Sequence, residues 1–259
     1  MTACLPVKPE EPTEPELVTT AGARAVAGWY PCWGKRWFDF ALVVLGLVVV
    51  GAPMAFIALV TRLADGRPVL FAHERVGQRG RRFRALKFRT MRLGGEADSS
   101  VTVRGDRRVT RWGAFLRRWK LDELPQLINV LKGEMSLGGP RPDVPGYLDR
   151  LEGEDAVLLE SRPGITGPAS LAFGQEEELL ARVAEPQSFN DLQLFPAKVR
   201  INRKYAARIS LRGDLQWMIL TLAPRRFCRR VLRRDQWLAG LPETVTRLMS
   251  LEDNHPTVI

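Results

Sequence analysis

The run "KRWFDFALVVLGLVVVGAPMAFIALVTR" constrains this chain more than any other stretch, because it carries no charge from Phe40 through Val60. An uncharged apolar run longer than about 18 residues is a candidate membrane helix, with a buried core helix as the plainer alternative. Whether such a helix crosses is a separate question. Pro53 removes a backbone donor and crowds the preceding turn, so a kink or break is expected at Ala52-Pro53, with Gly51 adding freedom. Lys35 and Arg36 precede the run and Arg62 follows it, which assigns both ends to the cytoplasmic side and makes Lys35 and Arg36 anchors at the membrane interface. From Phe38 to Pro53 a helix rises roughly 22 Å, short of the roughly 30 Å hydrocarbon core. A re-entrant helix that enters one leaflet, bends and returns satisfies all three observations. A tilted span that tolerates its proline is the competing reading.

The flanking segments differ in kind. Residues 1–34 set Pro6, Pro9, Pro12 and Pro15 among Glu10, Glu11, Glu14 and Glu16, a composition expected to form a disordered leader rather than a signal peptide. From His73 to Lys120, fifteen Lys and Arg face four acids, so a local charge of +11 accounts for the whole formal excess of +10. Such a block points to polyanionic partners: nucleic acid, anionic lipid or phosphate-rich small molecules. Cys4, Cys32 and Cys228 have no metal or redox spacing, and His73 and His255 are the only histidines. Disulfide scaffolds, zinc knuckles and Ser/His/Asp chemistry are thereby disfavoured.

The pattern predicts an α+β chain, predominantly helical, in which the re-entrant helix (35–62) joins a compact cytoplasmic catalytic domain (63–240) with a small β-hairpin, interfacial amphipathic helices and a C-terminal tail (241–259). "RRFRALKFRTM" alternates as a strand with Phe83 and Ala85 on one face, and "HERVGQRGRRF" reads as the turn leading into it. "RWGAFLRRW" reads as a short helix with Phe115, Leu116 and Trp119 toward apolar surroundings. Leu124, Leu127, Ile128 and Leu131 have helical spacing, which puts Asp122 and Glu123 in a first turn, where the macrodipole favours anions. "FPAKVRINRKYAARI" and "LRGDLQWMILTLAPRRFCRRVLRR" complete the helical stretches, and the second suits an anionic leaflet or a solvated basic face equally.

The chemistry centres on "KLDELPQ". Two neighbouring carboxylates repel, so Asp122 and Glu123 need a cation beside them, and Mg²⁺ would serve, since it takes oxygen ligands and shares substrate phosphates. "GGPRP" (138–142) and "RPGITG" (162–167) bring backbone amides, Arg141 and Arg162 toward a ligand in a way that suits phosphate. Neither a Walker loop nor a dinucleotide fingerprint is present.

The order "KRWFD", "ALKFRTM", "LDELPQLINVLKGEMSLGGPRP" and "RPGITG" closely resembles the bacterial sugar transferase family, the monotopic polyprenol-phosphate phosphoglycosyl transferases, over roughly residues 35 to 223. The resemblance implies transfer of a sugar 1-phosphate from a UDP-sugar donor to a polyprenol phosphate acceptor, undecaprenyl phosphate being the one expected, at the cytoplasmic face of the bacterial inner membrane among its lipids. UMP leaves and a surface glycan is begun. It implies Asp122 as the nucleophile that forms an aspartyl phosphosugar, Glu123 beside it at the Mg²⁺ site, and Lys87 and Arg141 as phosphate-binding residues. Arg89, Asp143 and Arg162 join that phosphate and nucleotide set, each with a structural ion pair as its alternative. The membrane break in relatives often reads Ser-Pro where this chain has Ala52-Pro53, and "PASLAFGQEEELL" departs from the usual continuation after "RPGITG". A nucleic-acid-binding protein and a bitopic scaffold are the competing classes. Neither explains the dyad, so no nucleic acid is expected as a partner, while a second copy of the chain stays open.

Overall fold

The computed structural model describes residues 29–92 and 106–254. The leader expected over 1–34 lies outside the described residues except at its end, where Tyr30–Gly34 form a π-helical turn that runs directly into α1 (Lys35–Ala64). The helix therefore starts earlier than its charges suggest. It is also unbroken: Pro53 sits inside a single 30-residue helix, where its missing N–H leaves the Val49 carbonyl without its helical donor. Neither Ala52 nor Pro53 ends the element, so of the kink or break expected there the break is absent. Among the described residues α1 is the one helix long and apolar enough to cross a membrane.

The contacts of α1 are more informative than its length. Lys35, Asp39, Val43, Ile57 and Thr61 are buried, and Leu47, Met54 and Ala58 pack against the same surfaces, forming a stripe at helical spacing along its whole length. The opposite side carries Trp37, Val44, Leu45, Val48, Val49, Phe56, Leu59 and Leu63, all exposed. Near its start, Asp39 accepts from Ser136 Oγ at 2.6 Å and from the Leu137 amide at 3.3 Å. Near its end, Trp112 Nε1 donates to Thr61 Oγ1 at 2.9 Å, and Thr110 Oγ1 donates to Asp65 just beyond, at 3.0 Å. One globular body thus holds both ends of α1.

Strands β1 (Leu70–Val76) and β2 (Arg82–Phe88) form an antiparallel hairpin in the register Phe71 to Lys87, His73 to Ala85 and Arg75 to Phe83. Residues His73 to Val76, read as turn from their sequence, are strand, and the reversal is confined to Gly77–Arg81. Helix α2 (Arg111–Arg118) starts at Thr110, whose side chain accepts from the Gly113 amide. Its Leu116 is buried, whereas Phe115 and the following Trp119 are exposed, contrary to expectation. Helix α3 (Gln126–Lys132) leads to β3 (Ser136–Gly138), which pairs in parallel with β4 (Gly164–Thr166) after the short α4 (Val157–Glu160).

The remainder is helical: α5 (Pro168–Ala172), α6 (Glu176–Leu180), α7 (Pro186–Phe189), α8 (Phe195–Ala206), α9 (Leu211–Leu222), α10 (Arg225–Arg234) and α11 (Glu243–Asn254). The basic stretch expected as one helix is divided at Ala223-Pro224, because proline cannot continue α9. Trp217 from α9, Leu232 from α10, and Val245 and Met249 from α11 share one core cluster, and buried Arg229 donates to the Met249 carbonyl at 2.6 Å. Within the segment expected as a tail (241–259), residues 243–254 form α11, because Val245 and Met249, four apart, give it a face to bury, and 255–259 lie outside the described residues.

Candidate active site

Asp122 and Glu123 lie in a 3₁₀ turn, Leu121–Glu123, ahead of α3 rather than in its first turn. Lys120 reverses the chain after α2 in the left-handed region, at φ 56°, a backbone state that costs a non-glycine residue of order 1 kcal/mol or more. Leu121 and Leu124 flank the dyad and pack into the cluster of Ile57, Phe88 and Leu116, so the acidic turn is seated on apolar side chains with its carboxylates facing away.

The two carboxylates meet different surroundings. Glu123 Oε1 accepts from Lys87 Nζ at 2.8 Å and from Arg141 Nη2 at 2.5 Å, while Arg141 Nη1 reaches Oε2 at 3.3 Å. Burial alone would raise the Glu123 pKa, but Arg141 first, then Lys87 and Lys120, hold it well below the usual carboxylate value. Glu123 in turn raises the Arg141 pKa. Asp122 is buried as well, with Lys87 at 4.0 Å from Oδ2, yet its Oδ1 has no hydrogen-bond partner. An unpaired buried acceptor costs about 1–3 kcal/mol, so Asp122 lacks the pairing that Glu123 has.

The hairpin and the loop after β3 deliver the cations. Phe83, Ala85 and Lys87 share one face of β2, and on the same face of β1 stand Phe71, His73 and Arg75. Arg75 donates to His73 Nδ1 at 3.1 Å and lies 3.7 Å from Asp143. The glycines of "GGPRP" and "RPGITG" serve close backbone approach: a Cβ on Gly164 would lie 2.1 Å from the Gly139 nitrogen. They pair β3 with β4, the Gly139 amide donating to the Thr166 carbonyl at 2.8 Å and the Gly164 amide to the Pro140 carbonyl at 2.7 Å, next to Arg141.

Of the residues singled out from sequence, Asp122, Glu123, Lys87 and Arg141 come together, and Asp143 joins at the edge through Arg75. Arg89 does not: its guanidinium donates to the carbonyls of Asp65, Gly66 and Arg67 and ties the end of α1 to β2. Arg162 stands among other charges, those of Arg36, Asp39 and Arg79. Lys35 and Arg36 are not headgroup anchors in this structure. Lys35 ion-pairs with buried Asp214, and Arg36 donates to the Val130 and Leu131 carbonyls at 2.5 and 2.7 Å, capping α3. Arg75, Lys120 and His73 were missed as individual site residues. Counting along β1 at period two from the hairpin turn would have put Arg75 opposite Phe83, on the Lys87 face.

A sequence-family model described as bacterial sugar transferase matches residues 30–226. The chain belongs to the bacterial sugar transferase family. This transferase is 32% identical over 212 residues to an exopolysaccharide production protein, ExoY, of Rhizobium meliloti, covering 75% of this chain and 92% of that protein. It is 36% identical over 229 residues to an undecaprenyl-phosphate glucose phosphotransferase of Komagataeibacter xylinus, and 37% identical over 150 to an undecaprenyl-phosphate galactose phosphotransferase of Salmonella typhimurium. These alignments cover 85% and 51% of this chain but 41% and 31% of the respective relatives, so the chain spans less than half of those longer proteins. The transferase is an enzyme of the phosphoglycosyl transferase type.

Proposed function

We propose that the transferase moves a sugar 1-phosphate from a UDP-sugar to a polyprenol phosphate, in two displacements through Asp122. The observation that carries this reading is the contrast inside the dyad, a Glu123 locked by two cations beside an Asp122 with one unpaired oxygen. In the first displacement that oxygen attacks the phosphorus bearing the sugar, the bond to the bridging oxygen of the diphosphate breaks, and UMP leaves with the electron pair. In the second, an oxygen of the lipid phosphate attacks the same phosphorus and releases the Asp122 carboxylate, leaving a polyprenyl diphosphosugar. Lys87, Arg141 and Lys120 stabilise charge on the transferring phosphoryl group, and Arg75 extends the positive surface for the rest of the donor.

The donor set admits Mg²⁺ on limited terms. Both Glu123 oxygens are engaged by cations, and no group of three or more metal-ligating side chains exists among the described residues. The Asp122 carboxylate, through the oxygen that does not attack, would supply the protein ligand, with water and the diphosphate supplying the others, as suits an ion that enters with its nucleotide. When bound it polarises the diphosphate. The repulsion inside the dyad is already met by Lys87 and Arg141.

The membrane setting follows from α1. A straight helix of this length is about 45 Å long, and a span would put its ends on opposite sides of a hydrocarbon core about 30 Å thick. One body grips α1 at Asp39 and again at Thr61, which supports a helix that stays with the cytoplasmic face and offers its outer apolar side to one leaflet of the bacterial inner membrane. The relatives named as undecaprenyl-phosphate transferases support the same acceptor here, and the exopolysaccharide relative supports a role in starting a surface glycan. A UMP-release screen across UDP-sugars with undecaprenyl phosphate in detergent tests the reading: release with at least one donor is expected, and none with any would remove it.

A further inference from the structure

The charged groups of the site come from three separate segments: Lys87 from β2, the dyad from the turn before α3, and Arg141 from the loop after β3. Asn129, on α3, touches the other two. It is fully buried. Its Oδ1 accepts from the Leu86 amide at 3.0 Å, and its Nδ2 donates to the Arg84 carbonyl at 2.8 Å and to Glu134 Oε2 at 2.7 Å. Its backbone carbonyl accepts from the Glu134 and Met135 amides at 3.0 and 3.3 Å, where the chain leaves α3 for β3.

The two bonds to β2 copy the pattern of a neighbouring strand. A strand presents the carbonyl of one residue and the amide of the residue two further on along the same edge, and a carboxamide carries the matching donor and acceptor. The hairpin has two strands, so β1 covers one edge of β2 and Asn129 holds the other. The gripped peptide groups flank Ala85, which stands two residues before Lys87 on the same face. Register matters at this point, because a slip of one residue would carry Lys87 to the opposite face, away from Glu123.

Resting on the phosphate-binding role given to Lys87 above, we propose that Asn129 is a positioning residue, which sets the Lys87 ammonium against Glu123 and Asp122 by clamping β2 to the helix that follows the dyad. Only Leu124 to Ile128 separate Asn129 from Glu123, so the clamp joins Lys87 and its carboxylate partners to one short piece of chain. The plainer alternative is a buried asparagine that adds stability and does nothing particular for Lys87. Lys198 separates the two readings. It ion-pairs with a glutamate as Lys87 does, Glu176 at 2.6 Å, and its side chain is 17% exposed against 23% for Lys87. That pair belongs to α8 and α6, outside the clamp.

The test reads the two lysines in the whole chain, kept in detergent. Wild type, Asn129→Ala and the milder Asn129→Ser are acylated briefly with acetic anhydride, and labelling at each lysine is measured by peptide mass spectrometry. The proposal expects Lys87 labelling raised about fivefold or more in Asn129→Ala, and in the same direction in Asn129→Ser, while Lys198 changes less than about twofold. Both lysines rising together, or Lys87 unchanged in both variants, overturns it. Turnover supplies a second reading. Lys87→Ala is expected to lower kcat/KM about a hundredfold and Asn129→Ala about tenfold, with the double variant no more than about twofold below Lys87→Ala, because a positioning residue acts only through the residue it positions. A double variant that loses about a further tenfold overturns it. Lys87→Ala with kcat/KM within about twofold of wild type would instead remove the phosphate-binding role of Lys87, and the labelling then decides by itself whether Asn129 places that ammonium.

Discussion

Two buried aspartates, each next to cations, differ in what they have left over. Asp214, in α9, accepts from Tyr30 Oη at 2.7 Å, from Tyr205 Oη at 2.7 Å and from Lys35, so both of its oxygens are used. Asp122 has Lys87 near one oxygen and nothing on the other. The first is a fastening, tying the start of α1 to the helical core. The second is held in place by its backbone turn and by the saturation of its neighbour Glu123, which draws off the cations that would otherwise pair it.

Substitutions can break that contrast. Asp122→Asn should cut transfer by about a thousandfold or more while leaving the unfolding midpoint near wild type, because it removes the proposed nucleophile and no ion pair of consequence. Asp214→Asn should do the reverse, costing about 3–5 kcal/mol of stability in denaturant titration, since Lys35 and two tyrosine hydroxyls lose a buried acceptor of matching charge. Equal loss of activity and stability in both variants would erase the distinction. Arg141→Lys should raise the donor KM about tenfold, because a point charge replaces a fork that spans both Glu123 oxygens.

A smaller effect concerns pH. The Glu123 pKa is depressed below its usual 4.5, so its stabilising contribution is complete above about pH 4.5 and is lost as pH falls through the native value. The stability gap between wild type and Glu123→Gln should therefore be constant near neutrality and shrink only in acid below that value. A gap that instead closes between pH 6 and 8 would mean that another group carries the effect.

Much of the site could be read from one segment because it is local: "LDELPQLINVLKGEMSLGGPRP" carries Asp122, Glu123 and Arg141 within a span that folds as turn, helix, short strand and loop. Lys87 came from the resemblance carried by "ALKFRTM", and the strand places it on one face with Phe83 and Ala85. Arg89 was misread because a basic residue in a basic block looks like a ligand for phosphate until its partners are known, and those partners are backbone carbonyls more than twenty positions away. Lys35 and Arg36 misled for the same reason: flanking charges suit a headgroup plane and equally suit Asp214 and a helix C-terminus, and nothing local distinguishes them. The apolar run marked α1 as a membrane-type helix by composition, and the helix continues through Pro53 because packing along its length offsets the lost hydrogen bond.

The most direct measurement of the central claim is intact-mass analysis after mixing the transferase with a UDP-sugar and no lipid acceptor. The account predicts a mass gain equal to one sugar phosphate on the wild-type chain, located on Asp122, discharged when polyprenol phosphate is added, and absent in Asp122→Asn. Lipid product accumulating while no adduct forms, or forming at the wild-type rate in Asp122→Asn, would contradict it.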